Sequence, residues 1–298
     1  MSASAFKPLF VVGCPRSGTT LVQRLLNAHP EVAIAPETFL VQKARRHSPP
    51  ALIEALAAGP LFPAMGAPDA FHRAARAAHD PQAIFEALLR TFAAHTGASV
   101  VGEKTPDHVR HIPQLLDWFP RARVIHVVRD ARAVVNSWRT VPWRSGYVAR
   151  DAELWVEHVA AGRAAAATHP AAVHTVRFEA LVRSPEATLR TLCRAVGLAF
   201  DPAMVHFHQT PPDTVDVERE PWKQRVTRPI DPSVATRWRT ELPWRDVCVV
   251  EAVAGTEMRR WRYPLLSNQS MRRRAQWRAR WQRLRWKMDV LRTESGWL

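Results

Sequence analysis

The chain has 298 residues, 47 % of them hydrophobic, and a formal net charge of +15 at pH 7 from 42 Lys and Arg against 27 Asp and Glu. Three scattered cysteines exclude a disulfide framework and a zinc spacing, and no segment approaches the roughly 18 uninterrupted apolar residues of a membrane span. At this length one large α/β domain or two small ones would fit, and no Gly/Ser-rich linker divides the chain, so a single core with accessory helices is expected over residues 1–270.

In chain order, Leu9 to Gly13 reads as a buried strand running into Cys14-Pro15-Arg16-Ser17-Gly18 and then a helix from Thr19. A strand, a glycine-bounded turn and a helix N-terminus wrap backbone N–H groups around an anion. Gly13-x4-Gly18 matches the start of the ATP-binding loop, but Thr19 and Thr20 stand where that loop carries its phosphate-reaching Lys. Arg16 supplies a guanidinium inside the loop instead, able to fork onto two oxygens. Cys14 reads as a small filler or an activated thiol. Past the first helix a short strand-like run ends at Pro36-Glu37, where Glu37 is a candidate base or merely a helix cap. The Ala/Pro/His-rich stretch from Phe39 to Ala83 predicts short helices near an acceptor entrance.

Val100 to Glu103 forms the next strand, stopped at Pro106, with Lys104 at its end, one of only five lysines. His108 and His111 follow at a helix start. Val124 to Val128 is another buried-type strand, ending in Arg129-Asp130 and turning into a helix in which Ser137 lies two turns beyond Arg129. Asp130 reads as an N-cap, or, for a kinase, as a magnesium carboxylate. The strand Val173 to Phe178 precedes Ser184-Pro185-Glu186, a helix start whose Leu189, Leu192, Cys193 and Val196 form one buried stripe. Strands alternating with helices predict an α/β, P-loop-like three-layer fold, a central parallel sheet flanked by helices, with the chemical residues at the carboxyl ends of the strands.

Pro15-Arg16-Ser17-Gly18-Thr19-Thr20, Arg129 with Ser137, Lys104 in Gly102-Glu103-Lys104-Thr105-Pro106, and the stretch around Phe178 together resemble sulfotransferases that use 3′-phosphoadenosine 5′-phosphosulfate (PAPS), in the order of that family, and most closely the protein-tyrosine and heparan types. The resemblance runs from Phe10 to about Tyr263. It implies sulfonate transfer to a hydroxyl or amine by in-line displacement. Arg16, Ser17, Gly18, Thr19 and Thr20 would hold the phosphosulfate, with Arg129 and Ser137 on the 3′-phosphate. Lys104 would meet the developing charge, and Arg228, before Pro229, the phosphosulfate. Phe178 stands where the family carries a Tyr near the adenine, which keeps stacking and loses a hydroxyl contact. Glu37 aligns with the catalytic Glu of the protein-tyrosine type, and His108 is the alternative base, by analogy with small-molecule sulfotransferases. Arg16 and Lys104 would pull the pKa of Glu37 down while desolvation would push it up. No metal is expected, because cations and a helix N-terminus perform the neutralisation. The acceptor is left open between small molecules, glycolipids and peptides. The alternatives are a nucleotide kinase or NTPase, and a non-catalytic membrane-associated nucleotide-binding protein.

Residues 270–298 carry nine basic and two acidic side chains, a net +7. Trp277, Trp281, Leu284, Met288 and Leu291 fall on a narrow seam of a basic amphipathic helix over 271–298, which suits an anionic membrane surface, an acidic partner or a helix groove; the bland alternative is a terminal helix packed on the body with its arginines solvated. No nucleic-acid module accompanies the charge, so no nucleic-acid partner is expected. Met1 to Pro8 has neither the charged start nor the apolar core of a signal peptide, and a cytoplasmic location, with peripheral contact at a membrane, is the expectation.

Overall fold

The computed structural model describes residues 6–59, 68–211, 218 and 220–295. Five parallel strands form one sheet in the order β2-β3-β1-β4-β5: β1 Leu9–Gly13, β2 Val32–Ala35, β3 Val100–Lys104, β4 Arg123–Val128 and β5 Val173–Arg177. Around it lie α1 Thr19–Asn27, α2 Leu40–Ala44, α3 Pro49–Ala57, α4 Pro68–Arg76, α5 Pro81–Thr96, α6 Ile112–Trp118, α7 Ala131–Trp138, α8 Val148–Thr168, α9 Phe178–Arg183, α10 Pro185–Val196, α11 Trp238–Glu241, α12 Trp244–Arg260 and α13 Gln269–Ser295. Short 3-10 segments cover Pro106–His111, Pro202–Gln209, Pro221–Thr227 and Pro232–Ala235.

The central strands are apolar on both faces because helices cover both. Phe10 and Val12 of β1 pack with Phe85 and Phe119 on one side. Val11 meets Leu25, Ile125 and Leu192 on the other. Adjacent residues of one strand thus feed two separate cores, as a period of two requires. β1 lies between β3 and β4, with Val11 opposite both Lys104 and Ile125. The strand order therefore reverses at β1, and the crevice beyond its carboxyl end is the place where open α/β sheets bind ligands.

The predicted strands are present with three boundaries moved by one residue: Lys104 ends β3, Arg123 starts β4, and Phe178 starts α9 rather than ending β5. Ser184 precedes α10 without a side-chain cap bond, and the helix closes at Gly197 in the left-handed conformation. The stretch expected to form short helices at the entrance does form α2 to α4 in its described part, but Leu40, Val41, Leu52, Ile53, Phe71 and Ala75 are buried in the core beside the sheet. Of its described residues only Phe39 lines the cavity at the strand ends. Residues 60–67 of this stretch lie outside the described part. The helices are therefore one wall of the core rather than a porch, because their apolar faces have the sheet-covering α5 to pack against.

α13 sits on α8 and α12. Ala275 and Ala279 are buried against Ala149, Cys248 and Val249. Gln282 accepts the Ala149 N–H at 2.9 Å, Arg283 pairs with Glu153, and Tyr147 donates to Asp289. The predicted seam faces away from this contact: Trp277, Trp281, Leu284, Met288 and Leu291 are between 41 % and 71 % exposed. No helix of the described residues is long and apolar enough to cross a membrane.

Candidate functional site

The carboxyl ends of β1, β2, β3 and β4 open into a cavity of 790 Å³. Its floor is the turn between β1 and α1. Ser17 N–H donates to the Cys14 carbonyl at 3.0 Å, which closes the turn, and Gly18 precedes α1 at φ 99°. That left-handed conformation favours glycine, and a Cβ there would sit 2.3 Å from the Phe178 ring. Gly18 thus lets Phe178 seal one side of the loop. No side chain caps α1, so its first N–H groups face the cavity that Gly18, Thr19 and Thr20 line. Ser17 Oγ is buried and has no partner among the described residues. Ser17 is not itself among the residues that line the cavity, whereas Gly18, Thr19 and Thr20 are; an uncapped helix N-terminus beside an unpartnered hydroxyl is an arrangement that suits an anion.

Arg16, at φ 70°, turns its side chain across the cavity. It donates from Nε to Ser137 Oγ at 3.1 Å and from an η nitrogen to the Trp222 carbonyl at 2.9 Å. Arg129, at the end of β4, donates to the Arg16 carbonyl at 3.2 Å and to the Val234 carbonyl at 2.7 Å, with its guanidinium 4.3 Å from the centre of the Phe178 ring. Its Nε has no partner among the described residues. Burial lowers the Arg129 pKa to about 10, against the opposing pull of Glu179, so it stays cationic at neutral pH. Arg129 and Ser137, two helical turns apart, are brought together through Arg16. Phe178 lines the cavity as the platform beneath Arg129. Arg228 is exposed and lines the cavity at the end of Pro221–Thr227.

Glu37 and Lys104 arrive from neighbouring strands. β2 and β3 pair in parallel with Ala35 opposite Glu103, which sets the residues after Ala35 beside the end of β3. Glu103 is buried and accepts from Thr38 N–H at 2.9 Å and Thr38 Oγ1 at 3.0 Å, pinning the segment that carries Glu37. Lys104, on the other face of β3, pairs with Glu37. Lys223 approaches the same carboxylate at 3.5 Å and holds Glu220 at 2.6 Å. Burial pushes the Glu37 pKa up, but Lys104 and Lys223 more than offset it, so the carboxyl lies below its usual value and is ionised at neutral pH. For Lys104, burial lowers the pKa and Glu37 opposes.

Lys223→Ala is therefore expected to raise the pKa of Glu37. If Glu37 must be ionised for turnover, the acid limb of kcat/KM moves to higher pH in the variant; an unmoved limb would show that Lys223 does not control this carboxylate.

Other expectations are corrected. His108 is fully buried and does not line the cavity; its Nδ1 lies 3.2 Å from Glu103 and its Nε2 accepts the Val41 N–H at 3.4 Å. It is a core histidine and out of reach of an acceptor. His111 lies outside the cavity too, and burial lowers its pKa to about 4. Cys14 is buried and its thiol is pushed up, first by burial, so the loop does not activate it. Asp130 accepts from Arg132 N–H at 2.8 Å as the cap of α7 and pairs with Arg132 at 2.6 Å, while Arg132 also holds Glu251 at 2.7 Å. That carboxylate is engaged inside the fold and is not among the residues lining the cavity, contrary to a magnesium role.

Sequence reasoning passed over Lys223, Trp222 and Glu179. The rarity of lysine in this chain was the one signal that could have marked Lys223. Glu179 works from behind, accepting the Asp130 N–H at 2.9 Å and the Tyr263 hydroxyl at 2.8 Å, and so fixes the turn after Arg129.

A family model described as "Sulfotransferase family" matches residues 8–202. The chain is 24 % identical over 267 residues to Protein-tyrosine sulfotransferase 1 of Danio rerio, covering 81 % of this chain and 69 % of that protein. It superposes with a TM-score of 0.66 on the sulfotransferase domain of the Synechococcus PCC 7002 olefin synthase, at 23 % identity, covering 86 % of this chain and 97 % of the other. The sulfotransferase domain of the curacin biosynthetic pathway gives a TM-score of 0.64 at 18 % identity, with 88 % and 100 % covered.

Proposed function

Since this chain belongs to the sulfotransferase family, we propose that it moves a sulfonate group from PAPS to a hydroxyl or amine acceptor by in-line displacement, with Glu37 as general base. The observation that carries the reading is Glu37, which lines the same cavity as Arg16, Ser137 and Arg129 and is paired from behind with the buried Lys104. The donor supplies an activated sulfonate on a phosphate leaving group. The residues present fit such a molecule: the unpartnered Ser17 hydroxyl and the uncapped start of α1 for the phosphosulfate, and the unpartnered Arg129 Nε for a second phosphate.

In this reading Arg16, Ser17, Gly18, Thr19 and Thr20 hold the phosphosulfate, with Arg228, which also lines the cavity, as a further cation for it. Arg129 and Ser137 hold the 3′-phosphate. Phe178 keeps Arg129 in place and offers an apolar surface beside the adenine. Lys104 stabilises the charge that grows on the leaving oxygen. Glu37 accepts the acceptor proton, a role its lowered pKa would make inefficient with both lysines attached. Anionic groups arriving in the cavity draw Lys104 and Lys223 away and add negative charge near Glu37, and both effects raise its proton affinity. The base is thus strengthened by occupancy of the donor site. No metal is needed in this scheme, and the acceptor is a small molecule, a glycolipid or a peptide tyrosine.

Calorimetric titration with adenosine 3′,5′-bisphosphate tests the donor site, with ATP and magnesium as the comparison. Tight binding that survives a chelator is expected. A preference for magnesium ATP, or no binding, would remove this reading and favour a kinase or a non-catalytic binder.

A further inference from the structure

We propose that α13 is a docking surface for an anionic lipid bilayer, lying along the headgroup plane with its outward face in the lipid. The helix has two faces with separate tasks. Ala275, Ala279, Gln282 and Arg283 tie one face to α8 and α12. About half a turn away, Trp277, Trp281, Leu284, Met288 and Leu291 make a row of large exposed apolar side chains four turns long. A soluble surface rarely keeps such a row without a use.

Charge identifies what covers it. At 100° per residue, Arg274, Arg278 and Arg285 fall along one flank of the row and Arg273, Arg280 and Lys287 along the other, all exposed. Arg280 and Arg285 also lie over the rings of Trp277 and Trp281, at 5.2 and 4.8 Å from the ring centres. Apolar side chains between two cationic borders match a bilayer edge-on: acyl chains below, phosphate groups on both sides, indole rings at the boundary. A second copy of the chain is disfavoured, because two such helices would press like charges together around the shared seam.

The test uses the full chain and flotation with two kinds of vesicle, pure phosphatidylcholine and phosphatidylcholine containing about one-third phosphatidylglycerol. The chain is expected to float with the anionic vesicles, to stay behind with the neutral ones, and to be released by high salt. Trp277→Ser with Trp281→Ser should lower the partition coefficient by about tenfold or more. Arg273→Gln, Arg280→Gln and Lys287→Gln together should lower it by about a hundredfold. Neither set touches the buried alanines, and unchanged binding of adenosine 3′,5′-bisphosphate reports that the body is intact. No flotation of the parent chain, equal flotation with neutral vesicles, or flotation indifferent to both sets would overturn the proposal. So would a lipid-free dimer that the tryptophan variant splits, which would assign the face to a second copy.

Discussion

Replacing Glu37 by Gln is expected to lower turnover by about 10²–10⁴ while leaving the affinity for adenosine 3′,5′-bisphosphate unchanged or slightly tighter. Gln keeps the shape and the hydrogen-bonding oxygen but cannot take the acceptor proton. It also leaves Lys104 and Lys223 without the carboxylate that each faces here. Lys104 then loses its partner while Lys223 keeps Glu220, and one negative charge is gone from the cavity, so an anionic donor should not bind less well. The two readouts separate a base from a structural carboxylate: a residue that merely held the lysines in place would weaken donor binding when neutralised. Turnover is measured as bisphosphate released from PAPS with the best acceptor in a panel of phenols, alcohols, glycolipids and tyrosine peptides. Unchanged turnover would remove Glu37 from the reaction.

Arg129→Ala should weaken adenosine 3′,5′-bisphosphate by about a hundredfold or more, from loss of a desolvated, charge-assisted contact together with the ties that hold the loop. The guanidinium bridges the Arg16 carbonyl in the phosphate loop and the Val234 carbonyl across the cavity, so its removal frees two walls at once. Arg129→Lys keeps the charge but cannot reach both carbonyls and an anion from one point, and should recover only part of the affinity. Calorimetry on the three proteins checks this. Equal affinity in the alanine variant would mean that the bisphosphate binds elsewhere.

The loop from Gly13 to Thr20, the strands and the helix starts were legible because their causes are local. Apolar runs, glycine at a left-handed position and proline at a first helical turn act within a few residues. The family resemblance rests on the same short segments, and the matched span of residues 8–202 contains most of them. The roles of neighbouring candidates were not legible. Glu37 and His108 were both plausible bases in the sequence, and burial alone separates them: one carboxylate lines the cavity, while the imidazole is sealed beside Glu103. Lys223 was a rare lysine without an assignment until the 3-10 segment Pro221–Thr227 brought it to Glu37.

The sequence by itself determined an α/β chain with a glycine-bounded turn from its first strand into a helix, since backbone geometry and hydrophobic period are written in consecutive residues. Tertiary structure decided which cations flank Glu37, that they lower its proton affinity, and which side of α13 meets the body. A helical period reveals that an apolar face exists, but packing chooses the face that fits. Here the small Ala275 and Ala279 allow close approach to α8 and α12, and the bulky tryptophan row is left outside.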